Sequence, residues 1–129
     1  DRKNDPSTQG TEAQDIIAWM RSQLSLAKQE GRKYILTNHI YPGAKYSSKS
    51  KDLLNSTYNE EYFAILRDFR DIIIIEVSAH DHFSDVRYHT DQSGNFYYHN
   101  ILVSPGVTPI DNQNPGVATF DIDAKTLTP

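Results

Sequence analysis

The run DIIIIEVSA, residues 71–79, constrains the fold more than any other segment of this chain. Four consecutive isoleucines leave no alternation of apolar and polar side chains, which is the pattern of a strand with one face in water. Continuous apolar runs of this kind are typical of parallel strands that helices cover on both faces. The run therefore predicts a central buried strand in an α/β fold.

Two segments have the periodicity of helices that could cover such a strand. Residues 11–31 repeat apolar side chains every three or four positions and end at Gly31, a natural residue just after a helix. Residues 57–69 show the same period, and Thr57 and Glu60 have the spacing of a capping box at its start. We expect a helix over each segment.

The rest of the chain is predicted to be loops and strands. Residues 44–56 are polar and are expected to form an exposed loop, whereas residues 86–104 have the pattern of a hairpin with a polar turn. His89 and His99 flank this hairpin and are interpreted as surface or cross-strand residues. Residues 117–123 are expected to form a last strand. The first half thus favours α/β layers and the second half an antiparallel sheet.

Composition argues against two classes of function. The formal net charge of −4 offers no basic stripe to neutralise the phosphates of a nucleic acid. No apolar run approaches the length of about 20 residues that a membrane-spanning helix needs. We therefore predict no nucleic-acid binding surface and no transmembrane segment.

Three histidines lie where predicted strands end, at the edge where open α/β sheets bind ligands. His39 ends a strand predicted at residues 33–40, and His80 and His82 follow the isoleucine run. On an extended backbone, an H-x-H pair points both imidazoles to one side. Asp81 between them could orient a ligand through a hydrogen bond, but by alternation it is expected to face away. The three imidazoles form a candidate transition-metal site. The alternative, on spacing alone, is that all three are ordinary polar loop residues.

Four ordered stretches add to this evidence: DIIAWMRSQLSLAKQEGRKYILTNHIYPG, AHDH, SPGVTP and NPG. They resemble the helix and "HIPPG" strand end, the "GHxH", the "APSxTP" and the "NPG" of calcineurin-like metallophosphoesterases, specifically of the acid sphingomyelinase-like phosphodiesterase branch. The resemblance covers residues 12–123 and is to the C-terminal half of such a domain. It implies half of a layered α/β/β/α sandwich with mixed sheets.

The resemblance implies a role for each of the three histidines. His39 and His80 would hold one divalent ion and His82 its partner, at a site where a metal-activated water attacks phosphorus. Two ions are implied for the complete protein. Zinc is the metal that the branch implies, although imidazole ligands do not single it out. The implied reaction is hydrolysis of a phosphodiester, with sphingomyelin or a nucleotide as substrate.

The sequence departs from the family pattern at four positions. Ala79 stands where "GHxH" has Gly, at a position that could require a positive φ. Tyr41 replaces the first Pro of "HIPPG", which we expect to loosen that turn. Ser84 stands where the branch often has Asp, although Asp85 is adjacent, and Gly106 replaces the Ser of "APSxTP". None of the four removes a ligand.

A larger departure is that the family's earlier motifs, "DxH", "GD" and "GNH[DE]", occur nowhere in the 129 residues. They supply the bridging carboxylate, further ligands and the acid that protonates the leaving group. Without them the chain would hold one ion or none, and we expect it to be inactive alone. Residues 1–11 are then a linker or preceding loop, and residues 12–129 the C-terminal part of the domain. A missing N-terminal half or a partner chain would cover the open sheet.

Asn55 begins an Asn-Ser-Thr triplet, the acceptor sequence for N-glycosylation, in the predicted exposed loop. Together with the resemblance, the triplet favours a secreted or lysosomal protein. Two other hypotheses stay open from the sequence. One is a catalytically inactive metallophosphoesterase-like module with a structural or protein-interaction role, and the other is an unrelated α/β domain whose motif matches arise by chance.

Overall fold

A central strand flanked by parallel neighbours organises the structure, as the isoleucine run predicts. The computed structural model describes residues 11–45, 48–88, 90, 93–95, 101–110 and 112–127. In chain order, their helices and strands are α1 (Thr11–Gln29), β1 (Tyr34–Thr37), β2 (Ala44–Lys45), β3 (Ser48–Asp52), α2 (Ser56–Asp68), β4 (Ile73–Ser78), β5 (Asp85–Arg87) and β6 (Ile101–Val103).

The main sheet is mixed and has the strand order β1-β4-β6-β5. Strand β4 pairs in parallel with β1 and with β6, and β5 pairs with β6 in the antiparallel direction. The side chains from Ile73 to Glu76 are all buried, as a strand with both faces covered requires. The predicted α/β class with a mixed sheet is therefore confirmed.

Both helices contribute to one apolar core with the sheet. Leu24 and Ala27 of α1 and Ile65 and Leu66 of α2 lie in one buried cluster with Ile73 of β4. Full burial of a large aliphatic side chain stabilises the fold by about 1.5–3 kcal/mol. The helical period of the sequence thus identifies the faces that hold the helices on the sheet.

Helix α1 ends as its sequence predicts. Gly31 adopts a φ of 67°, which glycine reaches without a steric cost. The amide of Gly31 donates to the carbonyl of Lys28 (3.3 Å), and the amide of Arg32 donates to that of Ala27 (2.9 Å). These two hydrogen bonds form a Schellman motif, and the chain then enters β1.

Helix α2 begins earlier than the capping-box spacing predicts. Asn55 is its N-cap, and the Asn55 Oδ1 accepts a hydrogen bond from the Thr57 amide at 3.1 Å. The assignment of Thr57 as the capping residue is therefore wrong. Asparagine caps helices at least as well as threonine, so the helix begins two residues earlier than predicted.

Two of the predictions for loops and strands need correction. The segment predicted as an exposed loop contains the antiparallel pair β2–β3, with Ala44 opposite Asp52. Residues 117–123 do not form a strand, and the Val117 side chain is 83% exposed. The predicted hairpin is present as β5 and β6. Residues 91–92 of its predicted turn and residues 96–100 of its predicted second strand, with His99, lie outside the described residues. The same holds for His89 and for residues 1–10 of the linker predicted over residues 1–11.

Candidate metal centre at the carboxyl edge of the sheet

The carboxyl ends of β1 and β4 bring two of the candidate histidines together. The strands are parallel neighbours, and His39 and His80 each follow the end of a strand by two residues. The His39 Nε2 and the His80 Nδ1 lie 3.2 Å apart. The two rings meet edge to face, with an interplanar angle of 83°. A backbone hydrogen bond from the Ala79 amide to the His39 carbonyl (3.1 Å) joins the two loops beside them.

The third candidate, His82, lies in a different environment. Its Nδ1 is buried and has no hydrogen-bond partner within the described part of the chain. A Cβ added to Gly106 would lie 2.7 Å from this nitrogen and 2.8 Å from the His82 Cγ. Only a glycine leaves room for the imidazole in this position. A serine here, as in the family pattern that the sequence resembles, would place its side chain in the same space.

The backbone of the His-Asp-His segment is not extended. His80 has a φ of 85° and His82 a φ of 59°, in the left-handed region that costs an L-residue about 1–2 kcal/mol. The alternation argument for two imidazoles on one side is therefore wrong, because β4 ends at Ser78 before the segment begins. Ala79 does not adopt a positive φ, so its methyl group causes no strain of that kind.

Asp81, expected from alternation to face away, is buried between the two loops. Its carboxylate accepts a hydrogen bond from the hydroxyl of Tyr41, whose side chain is fully buried. The guanidinium of Arg87 lies 3.9 Å from the centre of the Tyr41 ring, a cation–π distance. The hydrogen bond of Tyr41 therefore connects the turn after β1 to the loop after β4. The expectation that Tyr41 loosens this turn is wrong.

A buried polar cluster lies beneath the histidine pair. Asn38 donates from its Nδ2 to the Glu76 Oε1 (2.7 Å) and to the Tyr62 hydroxyl (2.8 Å). Ser78 donates from its Oγ to the same Glu76 oxygen at 3.1 Å. Burial raises the pKa of Glu76, while hydrogen bonds from Asn38, Ser78 and Tyr62 act against the rise. Burial and the nearby Glu76 charge also raise the pKa of Tyr62.

Sequence reasoning missed this cluster, although two signals pointed to it. Glu76 interrupts an apolar strand and Asn38 directly precedes His39. Buried polar groups of this kind need partners. Most of them find partners in one another here, but the Glu76 Oε2 has no hydrogen-bond partner among the described residues. The cluster fixes the residues immediately before the histidine loops on both strands.

The histidine pair fits two ligands of one metal ion. At a tetrahedral zinc with bonds of about 2.0–2.1 Å, two ligand nitrogens are separated by about 3.3 Å, and the observed separation is 3.2 Å. Within the described ranges, no group of three or more His, Cys, Asp or Glu side chains could hold a metal ion. The His39–His80 pair alone is therefore not a complete ligand set among the described residues, and His82 does not complete it.

Comparison with known proteins gives these loops a context. The chain is 27% identical over 118 residues to an acid sphingomyelinase-like phosphodiesterase 3b of Mus musculus, with 84% of the chain and 26% of the relative covered. It is 26% identical to a sphingomyelinase phosphodiesterase D of Dictyostelium discoideum (85% and 26% covered). It is 24% identical to a cyclic GMP-AMP phosphodiesterase of Rattus norvegicus (92% and 26% covered).

The chain is similar to acid sphingomyelinase-like phosphodiesterases over most of its length. This similarity supports the metallophosphoesterase family. The match to the mouse relative covers 84% of this chain. A continuous stretch of that length includes His39, His80 and His82 wherever in the chain it begins. No family model matches the chain. The chain spans about a quarter of the length of these relatives, 26% in each case.

No helix in the described ranges combines the length and apolar character needed to cross a membrane.

Proposed function

We propose that this chain is part of a metal-dependent phosphodiesterase. The observation that supports the proposal most directly is the 3.2 Å approach of the His39 Nε2 to the His80 Nδ1 at the carboxyl edge of the sheet. Two imidazole nitrogens that face each other at this distance can share one divalent ion. The similarity to phosphodiesterases supplies the reaction class.

In this proposal each histidine has a separate task. His39 and His80 present neutral imidazole nitrogens to one ion, and His82 serves a second. When bound, the two ions would lower the pKa of a water molecule so that it acts as the nucleophile. They would also stabilise the negative charge that develops on the phosphoryl oxygens. We propose zinc for both, since imidazole suits zinc among other transition metals. The chain's own residues hold the imidazoles in place through the buried cluster of Asn38 and Glu76.

The substrate we propose is a phosphodiester of sphingomyelin or of a nucleotide. The names of the relatives include a sphingomyelinase and a cyclic GMP-AMP phosphodiesterase, and both substrates contain the same scissile bond. Further ligands and a bridging carboxylate would come from polypeptide outside these residues, either from the same protein or from a partner chain. We propose that this polypeptide also covers the open sheet, whose edge strand β5 carries Val86 at 56% exposure.

The test uses the protein as it exists, with any sequence that adjoins these residues. His39→Ala and His80→Ala should each abolish hydrolysis of bis(p-nitrophenyl) phosphate and lower the bound zinc measured by mass spectrometry. His99→Ala is the matched control, because the sequence assigns this histidine to the hairpin outside the site. Unchanged zinc content and activity in both site variants would contradict the proposal.

We also propose that the protein is secreted or lysosomal and carries a glycan on Asn55. Asn55 is exposed, and its capping hydrogen bond uses Oδ1, so the amide nitrogen that carries a glycan is not the capping atom. Asn55→Asp should keep the helix cap and remove the mass of the glycan, and Thr57→Ala should remove it while keeping Asn55. A wild-type protein without the added mass after secretory expression would contradict this part.

A second candidate function is an inactive module with a structural or protein-interaction role. Ile16, Trp19 and Leu26 of α1 are 62%, 64% and 43% exposed, and their spacing of three and seven residues places them on one helix face. An exposed apolar face of this kind is typical of contact surfaces. If this function is the true one, His39→Ala and His80→Ala leave it intact.

A further inference from the structure

The two histidine loops are joined by side chains that have no metal-binding role in the proposal above. Tyr41 lies two residues after His39, and Asp81 lies one residue after His80. The Tyr41 hydroxyl donates its hydrogen bond to the Asp81 carboxylate. The bond therefore connects the loops immediately beside the two imidazoles.

This contact is built into the interior. Tyr41 is 0% and Asp81 6% exposed, so water does not compete for the hydrogen bond. A hydroxyl that donates to a buried carboxylate forms a charge-assisted bond, which is stronger than one between neutral groups. Tyr41 and Asp81 thus hold the two loops together more firmly than an exposed polar contact would.

Arg87 of strand β5 packs against Tyr41. Its guanidinium stacks on the Tyr41 ring at 3.9 Å. Its Nε donates to the Asp85 Oδ2 at 3.0 Å, and its Nη1 donates to the Ala44 carbonyl. The tyrosine ring is therefore fixed on one side by an arginine whose own position is set by two hydrogen bonds.

The loop that carries His80 begins after the end of β4, so the hydrogen bonds of the sheet do not fix its backbone. His80 lies beyond the strand end and adopts a φ of 85°. Residues in sparsely populated backbone regions persist only where surrounding contacts determine them. The residue that follows His80 is the buried Asp81. The hydrogen bond from Tyr41 to Asp81 is therefore placed to hold the left-handed backbone of His80.

We propose that the Tyr41–Asp81 hydrogen bond is a positioning device that sets the distance between the imidazoles of His39 and His80. Both residues act through the histidines and have no contact with substrate in this account. The consequence for metal affinity rests on the proposed function. The consequence for the geometry of the metal-free loops does not.

Three variants of the protein as it exists test the proposal. Tyr41→Phe removes the hydroxyl and keeps the ring beneath Arg87. Asp81→Ala removes the acceptor, whereas Asp81→Asn removes the charge and keeps an oxygen that accepts from Tyr41. Cobalt(II) titration followed by visible absorption measures affinity, and long-range proton–nitrogen NMR spectra of the metal-free protein report the hydrogen bond between the two imidazoles.

Tyr41→Phe and Asp81→Ala should weaken cobalt binding by about 10–100-fold, the usual effect of removing a group that orients a metal ligand. Both should also lose the imidazole–imidazole hydrogen bond in the metal-free spectra. Asp81→Asn should retain that hydrogen bond in its neutral, weaker form and bind cobalt more tightly than Asp81→Ala, although less tightly than wild type.

Two results would overturn the proposal: wild-type spectra and affinity in Tyr41→Phe, or a loss in Asp81→Asn as large as in Asp81→Ala. Failure of the wild-type protein to bind cobalt would instead contradict the proposed function, and the metal-free spectra would still decide the positioning role. If Tyr41→Phe does not fold, Asp81→Asn against Asp81→Ala decides it.

Discussion

The helix–sheet core and the loops at the carboxyl edge of the sheet are held together by different means. In the core, α1, α2 and β4 share an apolar cluster in which every large side chain is buried by several others. At the edge, His80 and His82 adopt left-handed backbone conformations, and the loops depend on individual polar contacts such as Tyr41 with Asp81. The core is stabilised by many apolar contacts at once, whereas the edge depends on hydrogen bonds between particular polar groups.

The largest effect is expected where the core alone is disturbed. Leu24→Ala removes a side chain that is 2% exposed and should lower the free energy of unfolding by about 2–5 kcal/mol. Leu26→Ala is the matched control on the same helix, because Leu26 is 43% exposed and its loss should cost less than about 0.5 kcal/mol. Urea denaturation measures both, and equal losses would remove the distinction between the buried and exposed faces of α1.

A methyl group at Gly106 tests how tightly the edge is packed. In Gly106→Ala the new Cβ would lie 2.7 Å from the His82 Nδ1, so His82 must move and stability should fall by about 1–3 kcal/mol. Gly116→Ala is a milder control, since its Cβ would lie 3.1 Å from Pro105. Proton–nitrogen spectra of the His82 ring together with thermal unfolding measure the change, and an unshifted ring in Gly106→Ala would show that the close approach does not exist.

The left-handed backbone at His80 allows a comparison of two substitutions that both remove the imidazole. His80→Gly should be more stable than His80→Ala by about 1 kcal/mol, because only glycine adopts a φ of this sign without a steric cost. The same pair at Ser78, inside β4, should show the opposite order, since glycine weakens a strand. Chemical denaturation of the four variants checks this, and a more stable His80→Ala would contradict the left-handed conformation.

The buried cluster beneath the loops predicts a slope of stability against pH. The pKa of Glu76 in the folded protein is raised, chiefly by burial. Between the ordinary pKa of a glutamic acid and this raised pKa, the folded state therefore binds more protons than the unfolded state. The contribution of Glu76 is fully present below the ordinary pKa of a glutamic acid and is lost as pH rises through the raised pKa. Glu76→Gln should remove this decline. A wild-type protein whose stability rises over that range, or a Glu76→Gln variant with the same slope, would contradict the account.

The sequence predicted the core well because repeating patterns determine it. The isoleucine run identified β4 and its parallel pairing, and Gly31 marked the end of α1. The Asn55 cap was missed because the later Thr57 and Glu60 have the spacing of a capping box. The strand expected at residues 117–123 does not form. Strand propensity depends on packing against neighbours, which a local pattern does not reveal.

The edge was less predictable, because its contacts join residues far apart in the chain. The Tyr41–Asp81 bond spans 40 residues, and no local pattern indicates it. The H-x-H spacing gave a wrong local geometry, since the strand ends before the segment begins. The choice of His39 and His80 as ligands stays a prediction, although the structure places the two rings in contact.

The central claim is that His39 and His80 share one metal ion, and an anomalous difference map tests it most directly. Crystals of the protein, grown with zinc and measured on both sides of the zinc absorption edge, should show a peak at about 2.0–2.1 Å from both the His39 Nε2 and the His80 Nδ1. A map whose zinc peaks all lie away from these two nitrogens, at zinc concentrations that fill other sites, would contradict the claim.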